Sequence, residues 1–296
     1  MTGPQPYRTR PLRPALQPYV TSLVAYDVAI GGPGVHRGLP STSLTFVLPL
    51  GEPLDVSWPG EPASRARRWS VVSGLHATPA AIHHDGHQTG IQLGLTPTGA
   101  RALFGIPPAA LCHELAELDE LHATPREELR QLPERLHGTV DWQERLRRTH
   151  EALLTALARH GRPGPWAEIG RALARLTQGL PVADVADEVG WSRRHLTTQF
   201  RAELGLNPKA YQRVARFQTA HRLLLRAARR GRPSLADVAA DAGYADQAHL
   251  TREWVELAGC TPVQWLSEEF PFLQDSVLDL DEGDQGRRHR PSSTNT

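Results

Sequence analysis

The sequence predicts an α+β fold: a β-rich N-terminal domain with a helical extension, then an all-α C-terminal domain in which two helix–turn–helix units are joined by a long helix. Three observations lead there. Between about 20 and 96, short apolar or alternating runs are cut by Gly and Pro, the pattern of strands and turns. From 98 to 160 the spacing of apolar residues lengthens to that of helices. Between 180 and 265 the chain says nearly the same thing twice. Val185, Ala186, Gly190 and Trp191 match Val238, Ala239, Gly243 and Tyr244 at an offset of 53. His195, Leu196, Phe200, Gly205, Pro208 and Tyr211 match His249, Leu250, Trp254, Gly259, Pro262 and Trp265 at an offset of 54, so the second copy carries one extra residue in its turn.

The length of 296 residues suits about two domains, and 40% apolar residues is the composition of a globular chain. Cys112 and Cys260 form neither a disulfide framework nor a CxxC motif, which points to a reducing compartment. The first residues lack an apolar leader, and no apolar run reaches about 18 residues. A cytoplasmic protein with no membrane partner is expected.

Taken in order, residues 1–18 are Pro-rich and read as an irregular arm. Strands are expected at 22–30, 43–50, 54–58, 70–75, 80–84 and 90–96, forming a small sheet or barrel able to enclose a pocket. A short helix follows at 98–105, then several helices to 160, broken at Pro125 and Pro133. The last of these, 142–160, is amphipathic, with Leu146, Leu153, Leu154 and Leu157 on one face, suited to packing within the domain or to a dimer contact. Residues 1–160 thus form one expected domain, 161–165 a Pro/Gly linker, and 166–270 a second domain. The stretch 273–296 has few apolar residues and is expected to be disordered.

Within the second domain, Trp166, Ile169, Leu173 and Leu176 fit a lead-in helix. Val182, Val185, Ala186 and Val189 make the core stripe of a short helix, Gly190 supplies a turn, and Ser192 is placed to cap the next helix. There Leu196, Phe200 and Leu204 face inward; Arg194, Thr198 and Arg201 point away, with Thr197 at the flank. The second unit repeats this with Leu235, Val238, Ala239 and Ala242, the turn at Gly243 and the cap at Asp246. Leu250 and Trp254 face inward, and Gln247, His249 and Arg252 lie on the first turns of the projecting helix. One helix braces while the other offers an uncommitted polar face. The helix between them, 209–230, would span roughly 30 Å, close to the repeat of major grooves on one face of B-DNA. Charge points the same way. Between 193 and 232 there are eleven basic residues and one acid, Glu203, a net +10 against +1 for the whole chain.

These residues resemble the DNA-binding domain of the AraC/XylS family of bacterial transcription regulators. The resemblance covers 164–270: A-x-x-x-G-W/Y-S at Ala186–Ser192, L-x-x-x-F at Leu196–Phe200, G-x-x-P at Gly205–Pro208, R-F-x-x-A-x-x-L-L at Arg216–Leu224, A-x-x-x-G-Y at Ala239–Tyr244 and G-x-T-P at Gly259–Pro262. Leu250, Trp254 and Gln199 depart from the usual residues without breaking the pattern. The resemblance implies sequence-specific binding of double-stranded DNA and, from the habit of the family, an activator. It also implies base-reading positions at Arg194, Thr197 and Thr198 in one unit and Gln247, His249 and Arg252 in the other. Phosphate contacts are expected from Arg193, Arg201, Lys209, Arg213 and Arg226. Residues 1–160 more weakly resemble the sensing domains of such regulators, which makes a small-molecule effector, a second copy of the chain and RNA polymerase candidate partners.

One alternative comes from another class: a metal-binding or catalytic N-terminal β domain with DNA binding secondary, prompted by His83, His84, Asp85 and His87. On a strand, however, His83 and His84 point to opposite faces, and His87 lies past a Gly turn, so a polar hairpin tip is the simpler reading. Cys112, beside His113 and Glu114, reads as a buried inert thiol. No G-x-S-x-G, Walker or G-x-G-x-x-G motif stands in a credible context. No enzyme activity, cofactor or metal is therefore expected.

Overall fold

The computed structural model describes residues 6–121, 127–160, 167–231 and 233–273. The expected linker at 161–165, the expected tail beyond Leu273, and Trp166 of the lead-in helix lie outside them.

The N-terminal half pairs two antiparallel sheets. The larger has the order β1 (Tyr7–Thr9), β2 (Val20–Ala29), β9 (His87–Leu95), β4 (Leu44–Pro49), β7 (Val71–Ser73) and β10 (Leu115–Ala116). The smaller has the order β3 (Gly34–Gly38), β8 (Ala80–His84), β5 (Leu54–Trp58) and β6 (Glu61–Arg68). Side chains alternate across a strand, and here the alternation sorts two environments. Leu44, Phe46 and Leu48, with Ile91, Leu93, Leu23 and Ala25, join the core under the helices. Their neighbours Thr45, Val47, Gln92 and Val24 turn the other way and line a cavity of about 400 Å³ between the sheets.

Helix α1 (Pro97–Phe104) begins at Thr96, whose hydroxyl accepts from Gly99 N at 2.9 Å. Phe104 then meets Phe46 edge-on at 5.6 Å. Helices α2 (Glu127–Arg130) and α3 (Leu132–His137) lead to α4 (Trp142–His160). Leu146, Leu153 and Leu157 of α4 are buried, and α4 packs against α1, α2 and α3, so its apolar face is spent within the domain.

Three expectations need correction. Residues 1–18 are not wholly irregular, because Tyr7–Thr9 pairs with Val24–Tyr26 as an edge strand. The strongly polar β6 was not foreseen; its pairing with β5 brings Arg65 to Asp55 at 2.8 Å, and the strand tolerates charge because one face is open to solvent. The turn at 85–86 is not a hairpin tip. It carries the chain from one sheet to the other, since β8 pairs with β3 and β5 while β9 pairs with β2 and β4.

The C-terminal half is helical: α5 (Ala167–Thr177), α6 (Val182–Glu188), α7 (Arg193–Leu204), α8 (Pro208–Arg229), α9 (Leu235–Asp241), α10 (Gln247–Ala258) and α11 (Pro262–Leu273). The apolar core that fills α5, α6 and α7 is continuous with that of the N-terminal half. The core around α8, α9, α10 and α11 is a separate cluster. Among the described residues no helix is long and apolar enough to cross a membrane.

Candidate nucleic-acid interface

The two helix–turn–helix units are built by the same local rules. In the first, Gly190 takes φ +75° between α6 and α7, and Ser192 Oγ accepts from His195 N at 3.2 Å. In the second, Gly243 takes φ +77°, and Asp246 Oδ1 accepts from His249 N at 2.6 Å. One residue separates turn glycine and cap in the first unit and two in the second, which locates the extra residue in the second turn. The cap satisfies an otherwise orphaned amide at the start of each projecting helix. Leu196, Phe200 and Leu204 are buried under α7, and Leu250, Trp254 and Leu257 under α10.

The outward faces are then fixed. Arg194, Thr198, Gln247 and Arg252 are exposed, and Thr197 and His249 are half-buried. Thr197 and Thr198 donate their hydroxyl hydrogens back to Arg193 O at 2.9 Å and Arg194 O at 3.0 Å. What they can offer outward is a methyl group and acceptor lone pairs, suited to a thymine methyl or a base amino group. His195 and His249 occupy equivalent places and pack edge-on against the aromatic residue after the turn, Trp191 at 4.8 Å and Tyr244 at 5.1 Å. The Ala245 amide donates to His249 Nδ1 at 3.4 Å, which leaves the proton on Nε2 and makes that atom a donor.

Of the expected phosphate-contacting residues, Arg193, Arg201 and Lys209 are exposed, and Arg226 is half-buried. Arg213 is engaged within the protein. Its Nε donates to Glu253 at 3.1 Å, and its Nη2 pairs with Glu256. Arg216 holds Glu253 through Nε at 3.1 Å and Nη2 at 2.7 Å, and lies over the Tyr244 ring at 4.6 Å. Burial pushes the Glu253 carboxyl up, but hydrogen bonds and charge from Arg216 and Arg213 outweigh this and hold it below its ordinary range. The acid thereby cancels part of the charge run and ties α10 to α8. Sequence reasoning missed it, although an acid three residues after the inward-facing Leu250 is a legible sign of a buried pair. Glu203, the single acid of the run, pairs with Arg101 of α1 at 2.9 Å.

The other sequence-singled groups do not assemble. His83 Nε2 lies 3.2 Å from Ser57 Oγ, and His87 Nε2 pairs with Asp27 at 2.8 Å. Among the described residues no group of three or more His, Cys, Asp or Glu could hold a metal ion. Cys112 follows a 3-10 turn (Pro108–Leu111) rather than sitting in an α-helix. Its thiol donates to Leu75 O at 3.2 Å, and burial, then Glu114, raise its pKa.

Comparison with known proteins gives the same location. Residues 185–268 match the model of a helix-turn-helix domain family. An 87-residue stretch, 29% of this chain, is 32% identical to the virulence regulon transcriptional activator VirF of Yersinia enterocolitica and equally to the thermoregulatory protein LcrF of Yersinia pestis. The match spans about 31% of the length of each of these relatives. The fold of the whole is similar to that of an apo ToxT variant from Vibrio cholerae, with a TM-score of 0.50 and 10% sequence identity over 84% of this chain and 98% of that one.

Proposed function

We propose that this chain, which belongs by its C-terminal domain to the AraC/XylS family of bacterial transcription regulators, is a non-enzymatic, cytoplasmic regulator that activates transcription. It binds one duplex DNA site through both helix–turn–helix units, under control of residues 1–160. The duplicated, capped pair of projecting helices carries this reading. Connecting helix α8 has 22 residues, about 33 Å at the rise of an α-helix, near one turn of B-DNA. Arg194, Thr197 and Thr198 read one half-site, and Gln247, His249 and Arg252 the other. Arg193, Arg201, Lys209 and Arg226 hold phosphates, and Arg213 contributes field more than contact because its partners are within the protein. The outward residues of the two units differ, so the preferred site is directional. RNA polymerase, a small-molecule effector and a second copy of the chain are the partners this role calls for.

A gel-shift titration of the full chain against duplex DNA tests the reading. With about 6–10 phosphates contacted, affinity falls by about 10³–10⁵ between 50 and 200 mM salt. Absence of binding, or binding indifferent to salt, overturns it.

A further inference from the structure

Helices α7 and α10 correspond residue for residue. Each has 12 residues, each starts at a side-chain cap that accepts from the amide three residues on, and each ends at a glycine with positive φ, so an offset of 54 carries one helix onto the other throughout. Leu196 and Phe200 correspond to Leu250 and Trp254, and all four are buried. The same phase then fixes the outward positions. Arg194 stands where α10 has the exposed Ala248, Thr198 where it has Arg252, and Arg201 where it has the exposed Val255. Thr197 stands where α10 has Thr251.

Of these four outward pairs, Thr197 and Thr251 alone keep the same residue, and they keep the same geometry. Thr197 Oγ1 donates to Arg193 O at 2.9 Å, and Thr251 Oγ1 donates to Gln247 O at 2.9 Å; both side chains are half-buried. A bond to the carbonyl four residues back is ordinary for a helical threonine. Its consequence at this position is chemical: the hydroxyl hydrogen is spent within the helix, and the γ-methyl is left to face outward. On α10 the surroundings are apolar as well. Ala248, three residues before Thr251, and Val255, four after it, share its face, and Val255 is 41% exposed. A line of exposed methyl groups on a projecting helix has one apolar counterpart among the base edges of the major groove, the 5-methyl group of thymine.

We infer that Thr251, with Ala248 and Val255 beside it, is a further specificity-determining residue that reads a thymine methyl in the second half-site, and that Thr197 reads the corresponding thymine in the first. The inference rests on the regulator reading above and deepens it: two half-sites that differ elsewhere share one base. Their difference comes from the same register. Arg194 precedes Thr197 by three residues, whereas Arg252 follows Thr251 by one. The guanidinium suited to guanine therefore stands about 4.5 Å before the shared threonine on α7 and about 1.5 Å after it on α10. The thymine is common to both half-sites, and the position of the guanine is not.

Duplexes enriched by the full chain from a random pool serve as the probe. Each thymine is replaced in turn by uracil, which removes the 5-methyl group and nothing else. One thymine in each half-site should respond, with affinity falling by about fourfold, the worth of one buried methyl. This series needs only the parent chain. Thr251→Ser keeps the hydroxyl and removes the methyl, so it should bind thymine and uracil alike at the second half-site while the first still discriminates. Thr197→Ser should do the reverse. Thr251→Val keeps a methyl without the hydroxyl and should retain the preference. A response from no thymine, a response in one half-site alone, or serine variants that discriminate as the parent does overturns the inference. Loss of discrimination in Thr251→Val also overturns it, by assigning the reading to the hydroxyl. Failure of the regulator reading looks different: no duplex is enriched, and none binds.

Discussion

The first and second helix–turn–helix units share a sequence pattern, a cap and a turn, yet the molecule secures them by different means. The first is built into the N-terminal half: its core continues into that of the sheet and α4, and Glu203 pairs with Arg101 of α1. At its C-cap Gly205, a Cβ would stand 2.3 Å from Cys112 Cβ. The second has its own core of Phe217, Trp254 and Trp265, and is braced from within by Glu253 between Arg213 and Arg216. Its polar links to the N-terminal half are Arg37 to Glu268 and Glu269, and Thr42 to Gln218 Oε1 at 2.8 Å, and Leu39 and Ala77 pack against its core. The two copies of the duplicated unit are thus secured differently, the first within the apolar core of the N-terminal half and the second around a core of its own. The second copy is the one whose helices α8 and α11 reach the cavity, through His221, Trp265 and Glu269.

The sharpest way to break this contrast is Glu253→Gln, which strips the second unit of its internal brace. Removing one member of a buried ion pair costs about 3–5 kcal/mol, and the half-exposed guanidinium groups place this case at the lower end. Urea unfolding should report that loss, and the half-site proposed for Gln247, His249 and Arg252 should lose its specificity first. Unchanged stability would show that the brace is ornamental.

The equivalent glycines give a matched pair. Gly205 takes φ +80° and Gly259 φ +72°, so alanine at either meets the left-handed penalty of about 1–2 kcal/mol. At Gly205 the new Cβ also collides with Cys112, adding about 1–3 kcal/mol of overpacking. At Gly259 the nearest atom is Pro79 Cγ at 3.4 Å, ordinary contact. Thermal unfolding should rank Gly205→Ala well below Gly259→Ala; equal effects would deny that the first unit is the more tightly docked. The smallest effect belongs to Arg101→Ala. Its ion pair with Glu203 is partly exposed and is worth about 0–1 kcal/mol in chemical unfolding, less at high salt. A larger loss would mean that the docking is electrostatic rather than apolar.

Local rules made most of the second domain legible. The stripes of α6 and α9, the caps Ser192 and Asp246 and the extra residue in the second turn all follow from spacing, because helix periodicity and capping act within a few residues. The apolar strands were legible for the same reason, as alternation. Strands β1, β3 and β6 were not, since Pro-rich or charged edges are held by partners that the local pattern does not name. The internal engagement of Arg213 and the contact of Gly205 with Cys112 were equally hidden. They join residues 40 or more positions apart, and a basic run in sequence cannot say which of its members have acids waiting across the fold.

The central claim is that two unlike recognition helices on one connecting helix read one directional site. Selection of bound duplexes from a random pool by the full chain tests it most directly, run beside Arg194→Ala and Arg252→Ala. The account predicts an asymmetric site of two different elements about one helical turn apart. Each variant should relax a different element, at a cost of about 1–3 kcal/mol. A palindromic site, relaxation of the same element by both variants, or no enriched sequence would contradict it.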